Sequence, residues 1–204
     1  MSVQRVRLAE TAPQAWRNGG GTTRELLAWP LTKGTAADWQ VRVSVADITQ
    51  DGPFSAFPGI HRAFTVLEGA GVALDFGAGK GTGVNTGGVR LTPGDGALEF
   101  DGALAPGCRL LDGPTRDLNL MVRHDMGRAR MAPALAGQTW MSPDAWRGLY
   151  THDGATLQTP AGRLELPAGT LAWTDGGSLE TWQLIDGRNS WWLAAGPAAP
   201  GEPA

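Results

Sequence analysis

A chain of 204 residues is long enough for one large β domain or two small ones around a shared core. With 42% hydrophobic and 18% charged residues it is a folded chain, and a net charge of −3 gives nucleic acid or an anionic membrane no electrostatic hold. The lone cysteine, Cys108, excludes an internal disulfide framework and a cysteine-rich metal site.

The N-terminal run MSVQRVRLAE lacks the apolar core of a signal peptide, and no apolar run approaches the roughly 18 residues that cross a bilayer. A cytoplasmic location is the resulting expectation. The first unusual stretch is WRNGGGTTRE, Trp16 to Glu25. Gly19, Gly20 and Gly21 tolerate positive φ and close backbone approach, so their amides can form a nest for an anion. Asn18, Thr22, Thr23 and Arg24 add side-chain donors and acceptors, and Glu25 is the expected counter-ion of Arg24. A mobile turn is the alternative for the same residues.

Next comes WQVRVSVADI, Trp39 to Ile48, with the alternation of a strand. Val41, Val43 and Val45 are expected to face a core, and Arg42 and Ser44 either solvent or a polar cavity. DGPFSAFPG reads as a rigid double turn whose prolines fix φ. Phe54 and Phe57 in it, with Trp16, are candidates to close the mouth of a pocket.

Further short runs follow: HRAFTVLEG, GVALDFG, GVRLTPGD, CRLLDG, DLNLMVRH, ATLQTPAGRLELPAGTLAWT and SLETWQLID. Glycine and proline punctuate them about every ten residues, the pattern of an all-β sandwich or barrel. In TRDLNLMVR, alternation puts Asp117 and Asn119 on one face and Leu118 and Leu120 on the other. The two polar residues suggest a cavity wall, or caps of neighbouring turns. Helix is expected only within MGRARMAPALAG and at SPDAWRGLY, with Ser142 as cap and Pro143 at the first helical position. That zone, residues 126 to 150, reads as the connection between two β modules. The tail GPAAPGEPA has no periodicity and is expected to be flexible.

Familiar catalytic motifs are missing. FGAGKGTGVNTGG, Phe76 to Gly88, has neither the spacing of a phosphate loop nor a following helix, and reads as a glycine-rich loop between strands. His61, His124 and His152 form no HxH or HxxxH pair, and no GxSxG elbow occurs.

GIHRAFTVLEGAGV resembles the first cupin motif, with His61, Ala63 and Glu68 at the positions of its two histidines and glutamate. LELPAGTLAW resembles the second motif, with Ala172 where its histidine belongs. TPGDGALEF is a fainter echo with no histidine after it. Alanine ligates nothing, so two tandem cupin-like modules without metal chemistry are expected. WRNGGGTTREL, WQVRVSVADITQDGPFSAFPGIHR, VLEGAGVAL and LDGPTRDLNLMVR together resemble the HutD/Ves family of bicupin proteins, in order over residues 16 to 123. One departure is His61, where that family carries an acidic residue before the arginine.

The resemblance implies a bacterial cytoplasmic protein that binds a small acidic metabolite, of N-formyl- or formimino-glutamate type, and modulates histidine utilisation. A dicarboxylate of that kind needs arginine or amide donors. The fold expectation is all-β, two tandem cupin-like jelly-roll modules with little helix: residues 1–125, 126–196, and a flexible tail at 197–204. The expected ligand-binding residues are Asn18, Gly20, Gly21, Thr22, Thr23, Arg24, Arg42, Ser44, Asp117 and Asn119. Catalysis stays open, with Glu25, Asp117 and His61 as candidate acid–base groups of a metal-independent isomerase or hydrolase. A protein-interaction module with a vestigial pocket is the remaining alternative. No cofactor, metal, nucleic-acid or membrane partner is expected, and a homodimer is left open.

Overall fold

In the computed structural model, residues 2–30, 39–77, 88–176 and 179–197 are described. The N-terminal half contributes β1 (Gln4–Arg7), β2 (Gln14–Ala15), β3 (Gly21–Trp29), β4 (Val41–Ile48), β5 (Gly52–Pro53), β6 (Ile60–Glu68), β7 (Val72–Asp75), β8 (Val89–Leu91), β9 (Leu98–Asp101), β10 (Gly107–Leu110) and β11 (Thr115–Arg123). The C-terminal half contributes β12 (Arg128–Ala134), β13 (Thr139–Met141), β14 (Trp146–Thr151), β15 (Ala155–Thr159), β16 (Gly162–Leu166), β17 (Thr170–Asp175), β18 (Thr181–Gly187) and β19 (Ser190–Gly196). Among the described residues the only helix is the short 3-10 turn Leu8–Glu10.

Two barrel-like modules result. In the first, a six-stranded sheet ordered β2-β3-β4-β11-β6-β9 accompanies a four-stranded sheet ordered β5-β10-β7-β8. In the second, a five-stranded sheet ordered β1-β17-β14-β19-β12 accompanies a four-stranded one ordered β13-β18-β15-β16. β1 departs from the expected boundary at residue 125. Gln4 to Arg7 pair with Trp173 to Thr170, so the N-terminal strand completes the C-terminal module's sheet.

Both expected helices are strands. β12 runs through MGRARMAPALAG, with Ala129 and Met131 buried and Arg128 and Arg130 more exposed, a period of two rather than 3.6. Its Pro133 is tolerated because β12 is an edge strand. β14 is buried along its whole length between β17 and β19, and that pairing overrides the helix-start signal of Ser142 and Pro143. Residues 126 to 150 are therefore sheet of the second module rather than a connection. The glycine-rich loop proposed for Phe76 to Gly88 lies mostly outside the described residues, as does the tail from 198 onward.

The hydrophobic core has three parts. One lies between the modules, where Val41, Val43, Val45, Ala63, Leu118 and Leu120 meet Trp146, Tyr150, Leu171, Trp173, Trp191 and Leu193. The alternating valines of β4 thus face this seam and not the inside of their own barrel. A second cluster, with Ile48, Phe64, Val66, Val72, Leu74, Phe100 and Cys108, fills part of the first barrel. A third, with Leu149, Leu157, Ala172, Trp182, Leu184 and Trp192, fills the second. Residues opposite the valines on β4 are left to line whatever space the first barrel keeps.

Candidate functional site

That space is a cavity of about 640 Å³ in the first module. Strand period builds it. Arg42, Ser44, Ala46 and Ile48 come from β4, and Asp117, Asn119 and Met121 from the neighbouring β11. Each alternates with a residue committed to the seam, so one strand serves an apolar interface and a polar pocket at once. Arg62 reaches the cavity from β6, and Trp16, Phe54 and Phe57 line it beside Pro53 and Ser55. The double turn DGPFSAFPG is held by Phe54 N–H donating to Pro106 and Phe57 N–H donating to Gly102, at 2.9 and 2.7 Å. It is both a rigid corner and a cavity wall.

At the floor, three polar side chains form a chain. Arg62 donates through Nε and Nη2 to Asn119 Oδ1 at 3.2 and 2.8 Å, and Asn119 Nδ2 donates to Asp117 Oδ1 at 3.1 Å. The Arg62 guanidinium lies 5.0, 5.7 and 5.0 Å from the ring centroids of Phe54, Phe57 and Phe100. Aromatic faces stabilise a cation that has lost its water. Burial still pulls the Arg62 pKa down, to about 10. Asp117 is 1% exposed, and burial pushes its carboxyl up to about 7 against the Asn119 hydrogen bond and the nearby Arg62 charge. Nearer the opening, Arg42 Nε donates to Glu25 Oε2 at 2.6 Å and the Trp16 indole donates to Thr23 Oγ1 at 2.7 Å.

The donor set does not suit a metal. The inward residues of β6 are Arg62, Phe64 and Val66, while His61 and Ala63 turn toward the seam. Pairing His61 and Ala63 with the two cupin histidines is therefore off by one residue as regards the barrel interior. In the second module Ala172 does face inward, among Leu149, Trp182 and Trp192. Among the described residues no three His, Cys, Asp or Glu side chains lie close enough to hold a metal ion.

The HutD family model matches residues 8–192. The chain belongs to the HutD family. It is 30% identical over 189 residues to Protein Ves of Citrobacter koseri, covering 82% of this chain and 93% of that one. It is 35% identical over 132 residues to an uncharacterized 21.2 kDa protein in the hutC 3′ region of Pseudomonas putida. That alignment spans 63% of each chain. Among solved structures, HutD from Pseudomonas fluorescens SBW25, determined in a formate condition, superposes with a TM-score of 0.77 at 25% identity. The superposition covers 97% of this chain and 100% of that one. The all-β bicupin architecture is thus the family's own.

Within this HutD chain the cavity gathers six of the expected ligand-binding residues: Asn18, Thr23, Arg42, Ser44, Asp117 and Asn119. The remaining four lie elsewhere. Gly20 and Gly21 are not part of the cavity lining. Gly20 N–H donates to Asn18 Oδ1 at 3.0 Å, and Gly21 opens β3 in register with Ile48 of β4. Gly21 is required by packing, since a Cβ there would stand 2.3 Å from the Asp47 carbonyl oxygen. Thr22 pairs with Asp47 across the ladder, outside the cavity.

Arg24 and Glu25 are not each other's partners. Neighbours on a strand face opposite ways, so Arg24 pairs with Asp47 at 3.2 Å on the outer face and Glu25 pairs with Arg42 on the cavity side. Glu25 does not itself line the cavity, and neither does His61. His61 Nδ1 accepts from the Ala129 N–H at 3.1 Å across the seam, and burial, helped by Arg128 and His124, lowers its pKa to about 4. It is a neutral brace between the modules. Of the three candidate acid–base groups only Asp117 reaches the cavity.

Arg62 went unrecognised as a site residue. Its signal was in HRAFTVLEG, where alternation sets one arginine on the face of Phe64 and Val66. A cation on an otherwise apolar inner face needs a polar partner inside the barrel.

Proposed function

We propose that the first barrel binds a small acidic metabolite of N-formyl- or formimino-glutamate type, and that its occupancy modulates histidine utilisation in the cytoplasm. The observation that carries this is the charge of the cavity lining: Arg17, Arg42 and Arg62 against the single carboxylate Asp117. Arginine forks match carboxylates in bidentate geometry, and Asn18, Thr23 and Ser44 add neutral donors around them. A volume of about 640 Å³ suits a metabolite of this size, and a wall of few aimed polar groups among aromatic ones is what such sites use. The placement of a relative in the hutC 3′ region supports the link to that pathway.

N-formylglutamate is expected to raise the melting temperature of the protein, and Arg42→Ala to remove the shift. A flat thermal-shift screen across histidine-pathway intermediates would count against the proposal. Asp117 favours a second reading, because a carboxyl near 7 is poised to exchange a proton at cellular pH. NMR of each intermediate incubated with the protein separates the two: turnover supports a metal-independent isomerase or hydrolase, and unchanged spectra with binding support a sensor.

A further inference from the structure

A groove of about 890 Å³ lies where the two modules meet, and no residue lines both it and the barrel cavity. Strand period separates the two spaces: Arg24 and Arg116 turn into the groove where their neighbours Thr23 and Asp117 turn into the cavity. The first module supplies Arg24, Glu68 and Arg116 as one wall, and the second supplies His152 and Asp153 as the other. Backbone bonds fix one end, with Leu8 N–H donating to the Gly169 carbonyl at 2.8 Å and Gly169 N–H to the His152 carbonyl at 3.0 Å. Glu68 joins the walls, one carboxylate oxygen 3.2 Å from Arg116 Nη1 and the other 2.9 Å from His152 Nε2.

The two walls have unmet hydrogen-bonding capacity of opposite kinds. Arg24 uses only Nη1, on Asp47, and Arg116 uses Nε and Nη1, on Asp47 and Glu68, so both guanidiniums keep N–H groups unpaired among the described residues. Across the groove the need is for donors. With Nε2 of His152 facing Glu68, Nδ1 of the neutral ring is an acceptor. That side chain is 9% exposed, and its Nδ1 is buried with no partner among the described residues. The Asp153 carboxylate likewise makes no hydrogen bond or ion pair among them. A plain anion would face Glu68 and Asp153, and a plain cation would face Arg24 and Arg116. A zwitterion meets both walls with charge-assisted bonds. We propose that this groove is a second binding site, for a free α-amino acid, whose carboxylate accepts from Arg24 and Arg116 and whose ammonium donates to Asp153 and His152 Nδ1. The Glu68 bridge keeps the two sets of groups within reach of one small molecule. The site does not depend on what the barrel binds.

Thermal-shift and calorimetric titrations of the full-length protein with the standard L-α-amino acids test this, at about pH 8 where an ordinary imidazole is neutral. At least one of them is expected to raise the melting temperature. For the tightest binder, the deamino acid lacks the ammonium and the decarboxylated amine lacks the carboxylate. Each is expected to bind roughly tenfold more weakly, the usual penalty for losing a charge-assisted contact. Arg24→Gln and Asp153→Asn change side chains that water already reaches, so both variants should fold. Each is expected to weaken amino-acid binding by roughly fivefold and to leave the thermal shift with N-formylglutamate as it is. An amino-acid response that survives both variants would place binding elsewhere and overturn the inference. A deamino acid or amine that binds as tightly as the amino acid would overturn it as well. No response to any amino acid would remove the second site while leaving the carboxylate reading of the barrel standing.

Discussion

Each barrel buries an arginine beside aromatic rings, and the two arginines are used differently. In the second module Arg147 is 1% exposed, with its guanidinium 5.5 Å from the Trp182 ring. Its Nη1 donates to the backbone carbonyls of Ser142 and Glu180 at 2.9 and 2.8 Å. Backbone acceptors tie down a cation for good, and the rest of that interior is closed by Trp182, Trp192 and their aliphatic neighbours. In the first module Arg62 has only side-chain partners and stands at the edge of a cavity, while each arginine keeps one buried nitrogen without a partner among the described residues. Trp182 and Trp192 pack into the second interior, where the first barrel keeps a cavity. What separates the two arginines is the identity of their acceptors, not their burial.

The largest expected effect breaks the filled side. Trp192 stacks on Trp140 at 4.9 Å between ring centroids, and its indole donates to Gln138 Oε1 at 3.1 Å. Trp192→Ala empties a large volume and is expected to cost about 3–5 kcal/mol in denaturant unfolding. Because the seam cluster joins the modules, both barrels should lose stability in one transition. Below that transition the response to N-formylglutamate should persist. Its loss in a folded Trp192→Ala protein would show that the second barrel takes part in binding.

A smaller effect should come from the open side, through pH. Asp117 sits near 7 in the folded protein against about 4 for an ordinary carboxyl. Between those values the unfolded chain gives up a proton that the native state keeps, so stability from this group falls as pH rises from about 4 to about 7 and is level above. His61 works the other way. Its pKa is lowered from 6.5 to about 4, so the unfolded chain binds the extra proton and stability is lost as pH falls through that window. The two groups oppose each other over the same range. Asp117→Asn should therefore expose the His61 slope, with stability rising by a few kcal/mol, at most about 1.4 per pKa unit, from pH 4 to 6.5. Unfolding free energies measured at pH 4.5 and 7 in both proteins check it, and an unchanged difference between those pH values would refute the assignment.

The sequence made the strands of the first module and the polar face of β11 readable, because alternation survives wherever a sheet has two unlike sides. Arg42, Ser44, Asp117 and Asn119 all follow from that rule. It misled where faces were less distinct: β14 is buried on both sides, so no period betrayed it. The glycines were hard to read for another reason. Whether an amide is free for a ligand depends on its tertiary partner, and nothing in NGGGTT announces that Asn18 takes the Gly20 N–H or that the Asp47 carbonyl crowds Gly21. His61 was similarly opaque, since its partner, the Ala129 amide, is 68 residues away.

The smallest effect concerns the outer face of the first barrel, where charge is abundant and turned away from the cavity. Arg24 and Arg116 both bind Asp47, at 3.2 and 2.7 Å, and Arg116 also reaches Glu68 at 3.2 Å. His152 of the second module completes the row with its Nε2 at 2.9 Å from Glu68, whose side chain is 53% exposed. The Arg–carboxylate pairs of this row have side chains 28–53% exposed and contribute little, because water and salt screen them and the side chains lose freedom in making them. Arg24→Gln is expected to change stability by less than about 1 kcal/mol, and the change should shrink further in 0.5 M salt. The thermal shift given by N-formylglutamate should be the same in this variant as in the wild type. Arg24 sits in this row beside Glu25 and Thr23, which belong to the cavity side, so the variant asks whether one strand keeps its two faces energetically separate. A lost ligand response in Arg24→Gln would mean that it does not, and that the outer charges and the cavity act as one unit.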